Sequence, residues 1–218
     1  MTALLLKIGS AFTLLLVLPI LLIQVQPPVV ETMPVLLAPP EGCPAPCFMG
    51  IRPGVTTMDE AVSLLKTNAW VDRMRLEDYQ LDLRGVRANG WLSFTWSAAH
   101  PAQIDPTVPG RIYFAQADRQ SNAILVESIA IPTLLRTYQV QQWFGQASSG
   151  MVGIDGDRRL NYIAVYPPGD LAAWVRISTE LRCPASLMGY WDSHAEIMLS
   201  TAPITGDYLP FDDVVRMC

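Results

Sequence analysis

The sequence predicts a transmembrane helix followed by an α+β domain in which a helix and antiparallel strands occur in tandem. Three observations carry this. From Ile8 to Ile23 no side chain is charged, and with Ala3 to Leu6 the run approaches the roughly 20 apolar residues needed to cross a bilayer core. Thr57-Met58-Asp59-Glu60 has capping-box spacing, in which the threonine hydroxyl and the glutamate carboxylate each satisfy an orphan backbone donor at a helix start. Beyond it, short alternating segments bounded by Pro, Gly and Asn recur as far as Ser200, as antiparallel strands do.

Lys7 is the only charge before Glu31, which places the short amino end in the cytoplasm by the positive-inside tendency. A cleaved signal needs a small-x-small site after its apolar run. Here Gly9, Ser10 and Ala11 come too early, and Pro27-Pro28 stands where a peptidase would act. Residues 1–26 thus read as an uncleaved single-pass anchor, with a cleaved signal as the alternative, and the rest is expected outside the cytoplasm. Residues 24–46 hold seven prolines. Proline fixes φ and removes donors, so 27–46 reads as an extended, helix-free stalk. The alternative is a segment lying along the domain with Val35, Leu36 and Leu37 packed against it.

Residues 47–218 are long enough to bury a core. Hydrophobic residues make up 50% of the chain and charged ones 16%, below the usual charged share of about 25%. Net charge is −5 and no Lys/Arg run occurs, which argues against nucleic acid as a partner. Six tryptophans argue against disorder. The four cysteines are Cys43, Cys47, Cys183 and Cys218, an even count that reads as disulfides in an exported chain, with three connectivities open. Local closure favours Cys43 with Cys47, leaving Cys183 with Cys218. Cys43-Pro-Ala-Pro-Cys47 lacks zinc-knuckle spacing, Cys43 lies too far from the apolar run for a lipobox, and no cofactor is implied.

The elements follow in order. Met58, Ala61, Val62, Leu64 and Leu65 at helical spacing predict a helix from Met58 to about Thr67, ending near Asn68. Trp91 to Trp96 alternates, with Leu92, Phe94 and Trp96 on one face. Arg111–Ala115 and Ile124–Ile131 predict a hairpin around Asp118 to Asn122. Pro132 is expected to stop strand pairing and Thr133–Phe144 to form a second helix closed by Gly145. Leu160–Tyr166 and Leu171–Ile177 predict strands joined by Pro167-Pro168-Gly169-Asp170, a turn signal, and Glu196–Ser200 a last strand. One helix with three strands thus occurs twice, in possible repeats 47–131 and 132–203, because two such units side by side can share a core. Leu65 and Phe144 are expected in that core, and Lys66 and Gln139 at the surface.

Gly54-Val55-Thr56-Thr57-Met58-Asp59-Glu60-Ala61 with Leu64-Leu65 resembles the Gly-x-Thr-x-x-x-Val…Leu-Gly signature of the SmpA/OmlA group of bacterial outer-membrane assembly lipoproteins. Glu60 stands where that signature has valine. Val140, Phe144 and Gly145 resemble its end, and two units in one chain are similar to the beta-lactamase-inhibitor-protein-like architecture. That resemblance implies helices on one face of an antiparallel sheet and roles in binding and assembly; no functional residue carries over. The domain also looks like bacterial membrane-anchored proteins beginning Cys…Gly-Ile-Arg-Pro-Gly-Val-Thr-Thr.

Candidate chemistry is sparse. Asp192-Ser193-His194-Ala195-Glu196 is the one place joining histidine, carboxylates and a hydroxyl; in an extended strand Asp192, His194 and Glu196 would share a face, yet polarity at a strand start explains them as well. Asp155-Gly156-Asp157 lacks the further ligands of a calcium loop and reads as a hairpin turn. Ser148-Ser149-Gly150 reads as loop. The aromatics Trp91, Phe94, Trp96, Tyr113 and Phe114 suit sheet-core packing, or else a ligand-binding face. No catalytic fingerprint occurs. The expectation is a non-enzymatic, membrane-tethered extracytoplasmic domain that binds a protein or envelope component. The alternatives are a structural or regulatory membrane subunit and a hydrolase with an unrecognised site.

Overall fold

Eight antiparallel strands form one sheet, and the helices supply a single hydrophobic layer against it. The computed structural model describes residues 41–80, 89–116, 123–145, 147–154, 160–167, 174–181 and 187–201, together with 17 and 36–38. In chain order the elements are α1 (Met58–Thr67), β1 (Val71–Gln80), β2 (Asn89–Trp96), β3 (Gly110–Gln116), β4 (Ile124–Arg136), α2 (Thr137–Phe144), β5 (Ser149–Ile154), β6 (Leu160–Tyr166), β7 (Trp174–Leu181), α3 (Leu187–Asp192) and β8 (His194–Ser200). Anchor residues 1–16 and 18–26, Cys183, Cys218 and the predicted turns at 118–122 and 155–157 lie outside the described residues. Among the described residues no helix is long and apolar enough to cross a membrane.

Strand order is β1-β2-β3-β4-β8-β7-β6-β5. A helix and four strands are therefore followed by a helix and four strands, and the fourth strands, β4 and β8, pair with each other at the centre. Each unit holds one strand more than expected. β1 is not expected from the sequence: VDRMRLEDYQ is rich in charge, as suits an edge strand, although Met74 pairs with Phe94 and packs on the core. β5 contradicts the loop expected at Ser148-Ser149-Gly150, since Ser149 and Gly150 pair with Val165 and Ala164.

The capping box forms as its spacing predicts. Glu60 N–H donates to Thr57 Oγ1 at 3.3 Å, and Thr57 N–H donates to Glu60 Oε2 at 2.9 Å. α1 ends at Asn68, buries Ala61 and Leu65 and leaves Lys66 exposed. Gly54 N–H donates to Val126 O at 2.7 Å and Val126 N–H to Thr56 O at 2.9 Å, so the turn before α1 extends the ladder on β4 beyond the end of β8. Gly54 has φ +76, and a Cβ there would meet Thr201 Oγ1 at 2.9 Å. This is a left-handed position with no room for a side chain.

Three expectations need correction here. Pro132 does not stop the strand: it pairs with Glu196, and β4 runs on to Arg136 through a register shift between Pro132 and Arg136. Proline is tolerated where a bulge interrupts the ladder, and Pro132 O accepts from Asp105 N–H at 3.1 Å. The second helix therefore starts at Thr137, not Thr133, although Gly145 closes it with φ +77 as expected. Arg136 N–H donates to Gln139 Oε1 at 2.8 Å, which holds the Gln139 side chain against the helix start and leaves it half-buried rather than at the surface.

The Pro-rich stretch is likewise not a free stalk throughout. Leu36 and Leu37 are helical and buried, 2% and 3% exposed, within the main core. Cys43 and Cys47 form a disulfide with Cα atoms 6.0 Å apart, and Cys47, Phe48 and Ile51 are buried beside it. Burying a leucine recovers about 1.5–3 kcal/mol, and for Leu36 and Leu37 that outweighs the extended preference of the flanking prolines.

One core collects the helix-facing side of the whole sheet. Leu92, Phe94, Ile112, Phe114, Ile129, Ile131, Ile197, Leu199, Val175 and Ile177 belong to it with Leu65 of α1 and Val140 of α2. The two helices thus pack on the same face. The spacing of Val126 and Ile129 breaks strict alternation because a bulge lies between Tyr113 and Phe114 pairing, which returns both to the core side. Phe144 is half-buried and packs on this core beside Tyr166, ring centroids 5.2 Å apart.

Candidate functional site

The face of the sheet turned away from α1 and α2 carries a groove of about 780 Å³ along the β4–β8 seam. Its position follows from side-chain size. On β4 the residues pointing this way are Ser128, Ala130 and Pro132, and on β8 they are Ser200, Met198 and Glu196, paired one to one. Ser128, Ala130 and Ser200 are buried at the seam, whereas Pro132, Met198 and Glu196 line the groove. The flanking strands supply Arg111 and Tyr113 from β3, and Arg176, Ser178 and Glu180 from β7.

Cross-strand register decides which walls face each other. Arg111, Ala130, Met198 and Arg176 form one row across four strands. Pro132, Glu196, Ser178 and Ile163 form the next. Glu196 reaches back towards the first unit, with Oε2 3.9 Å from Arg111 Nη1. At that separation and partial exposure the pair is a weak restraint. Arg176 Nε is buried and has no hydrogen-bond partner among the described residues. The two arginines therefore share one row of the groove, and the acids Glu196 and Glu180 lie in the rows beyond it.

The predicted polar cluster is split by the fold. Asp192 is not in the strand; it is the last residue of α3 and pairs with Arg136. Ser193 Oγ donates to Gly189 O, so its proton is committed to the backbone and not offered to His194. His194 and Glu196 share a face of β8 and line the groove, together with Ser193 and Ala195. Among the described residues no three of His, Cys, Asp and Glu gather as a metal site.

The aromatic set divides too. Phe94, Trp96 and Phe114 are buried in the core, with Phe94 and Trp96 rings edge-on at 4.8 Å. Trp91 and Tyr113 pair on the opposite face, and Tyr113 lines the groove. Alternation alone places members of such a set on different sides.

Arg111, Arg176, Ser178 and Glu180 were not singled out by sequence. The signal existed in β7, where Arg176, Ser178 and Glu180 alternate with Val175, Ile177 and Thr179. Such alternation marks a strand with one buried and one open face. It does not say which strands stand beside it, and the groove exists only because β7 and β3 flank the same seam.

A second group lies under α2 and α3. Thr137 Oγ1 donates to Ser193 O at 3.1 Å and Thr179 Oγ1 to His194 O at 3.1 Å. Tyr162 and Tyr190 stack edge-on at 4.9 Å. Burial holds the Tyr166 hydroxyl up at about 12 and raises those of Tyr190 and Tyr162 as well. These phenols are structural: they join the second helix layer to the sheet and do not face the groove.

No protein-family model, curated protein or solved structure matches this chain.

Proposed function

We propose that this protein is a membrane-tethered binding domain, displayed outside the cytoplasm, that receives a segment of another envelope protein on the open face of its sheet and performs no catalysis. The observation carrying this reading is the groove. A two-unit sheet buries one face under helices, and on its other face a groove lined by Arg111, Arg176, Glu180, Glu196 and Met198 follows the seam. Charges on the groove walls would set the register of a bound segment. The apolar segment at residues 1–26 supports the tether, and the resemblance to assembly lipoproteins supports the binding role.

Photo-crosslinking from position 113 in cells tests the reading. An adduct of defined mass from position 113, absent from position 66 on the exposed side of α1, is expected. Equal labelling from both positions, or none from 113, would refute it. A reporter fused after Cys218 tests the tether: it should be active outside the cytoplasm, and cytoplasmic activity would reverse the orientation.

A further inference from the structure

Arg176 is the unexplained group of the groove. Its Nε is buried and unpartnered, whereas buried donors are almost always satisfied. The acid best placed to satisfy it is Glu196, diagonal to it across the β7–β8 pair. Glu196 instead leans to Arg111, on the other unit, at 3.9 Å. Glu180 lies four residues along the same strand, a step of about 13 Å, and no ion pair to Arg176 forms among the described residues. The guanidinium fork is therefore held at the groove wall with an inner donor facing no acceptor.

We propose that Arg176 is a carboxylate-binding residue, and that it takes an Asp or Glu side chain from a protein segment lying along the β4–β8 seam. The proposal deepens the binding reading above and rests on it. A planar carboxylate matches the guanidinium fork through two parallel N–H···O bonds. Glu196 and Glu180 nearby disfavour a dianion, which selects a single carboxylate over phosphate or sulfate. Glu196, in the next row, would accept a cation on the ligand. The favoured segment therefore carries an acid followed by a Lys or Arg, complementing the arginine row and the Glu196 row.

The test uses the full chain in detergent, ¹⁵N-labelled, with the Nε–H resonance of Arg176 identified by its absence in Arg176→Lys. The probe is an N-acetylated, C-amidated Gly-Asp-Gly tripeptide. A saturable downfield shift of that resonance, with Arg73 unmoved, is expected. Arg176→Lys keeps the charge and loses the fork, and should weaken binding about tenfold, read from the saturation of the backbone amide shifts that accompany binding in the parent, as loss of a charge-assisted bond does. Glu196→Gln should strengthen it. An unchanged amide fingerprint in each variant shows the fold intact. The assignment is overturned by no saturable shift, by equal shifts at Arg73, by equal or tighter binding of sulfate, or by response only to a tripeptide whose sole carboxylate is its C-terminus. Crosslinking at position 113 that persists while Arg176 stays silent would overturn the carboxylate assignment alone. Loss of that crosslink while Arg176 still responds would count against the protein-segment reading.

Discussion

Replacing Gly110 with alanine puts the packing of the first unit to a direct test. Gly110 opposes Phe94 across the β2–β3 pair. Nothing in the backbone demands glycine there, and a Gly→Ala change at a tolerant site gains about 0.4–1 kcal/mol by restricting the unfolded chain. Contact decides the sign. A Cβ at position 110 would sit 2.4 Å from Phe94 Cζ and 2.8 Å from both Phe94 Cε2 and Trp96 Cζ2, against 3.4–4 Å for ordinary contact. The ring would need to retreat by about 1 Å, which a close-packed interior resists. Phe94 is 1% exposed, Trp96 lies edge-on at 4.8 Å, and Trp96 Nε1 donates to Val108 O at 3.0 Å, so neither ring has a free direction. Overpacking of this kind costs about 1–3 kcal/mol, against the smaller entropic gain; a net loss of about 1 kcal/mol is expected. Urea unfolding of the full chain in detergent, followed by tryptophan fluorescence, reads it, since all six tryptophans lie beyond residue 69. Phe94→Leu removes the atoms in conflict, so the double variant should recover part of the loss, with a coupling of at least about 0.5 kcal/mol. A Gly110→Ala protein as stable as the parent, or an absence of coupling, would refute the account.

Leu36→Ala should cost about 2–5 kcal/mol by the same assay, through lost burial and the residual cavity; a change within about 0.5 kcal/mol would return the Pro-rich stretch to a free stalk. Thr57→Ala should destabilise by about 1 kcal/mol through loss of the helix cap. Its partner Glu60 has its carboxyl held below the usual range by hydrogen bonds from Thr57. That contribution is present above the unfolded value and lost as pH falls through the lower folded value, so Glu60→Gln should flatten the acid limb of stability below about pH 4.5; an unchanged limb would count against the cap. Tyr166 behaves in the opposite sense. Its pKa of about 12 exceeds the ordinary 10.0, so its contribution is complete below pH 10 and lost as pH rises towards 12. Phenolate absorbance should rise together with unfolding, and full ionisation of the tyrosines in a still-folded chain would contradict their burial.

Local signals were legible where the chemistry is local. The Thr57–Glu60 capping box, the stop at Asn68 and the Gly145 helix end depend on residues within one or two turns, so their spacing is enough. Leu92, Phe94 and Trp96 were assigned to one face because period-two alternation needs no partner strand. The Cys43–Cys47 disulfide follows from short separation along the chain. β1 and β5 were not legible, because edge strands owe their conformation to the neighbour they pair with. The boundary at Pro132 failed for a related reason. A proline normally ends pairing, but here a bulge and the 101–108 loop accept it.

By itself, then, the sequence determined the alternation that gives strands such as β2 and β7 a buried and an open side, the start of the first helix, and the charge-free segment at the amino end. Tertiary structure alone decided that β4 pairs with β8, and everything at the seam follows from that pairing. It sets Ala130 beside Met198, brings Arg111 of one unit and Arg176 of the other into one row, turns Glu196 to the first and leaves the Nε of the second without a partner among the described residues. It also draws Leu36 and Leu37 into a core more than 50 residues away along the chain from Leu92. The physical reason is range: helix caps and alternation act over a few residues, whereas a groove between two units exists only after strands far apart in sequence have found their register.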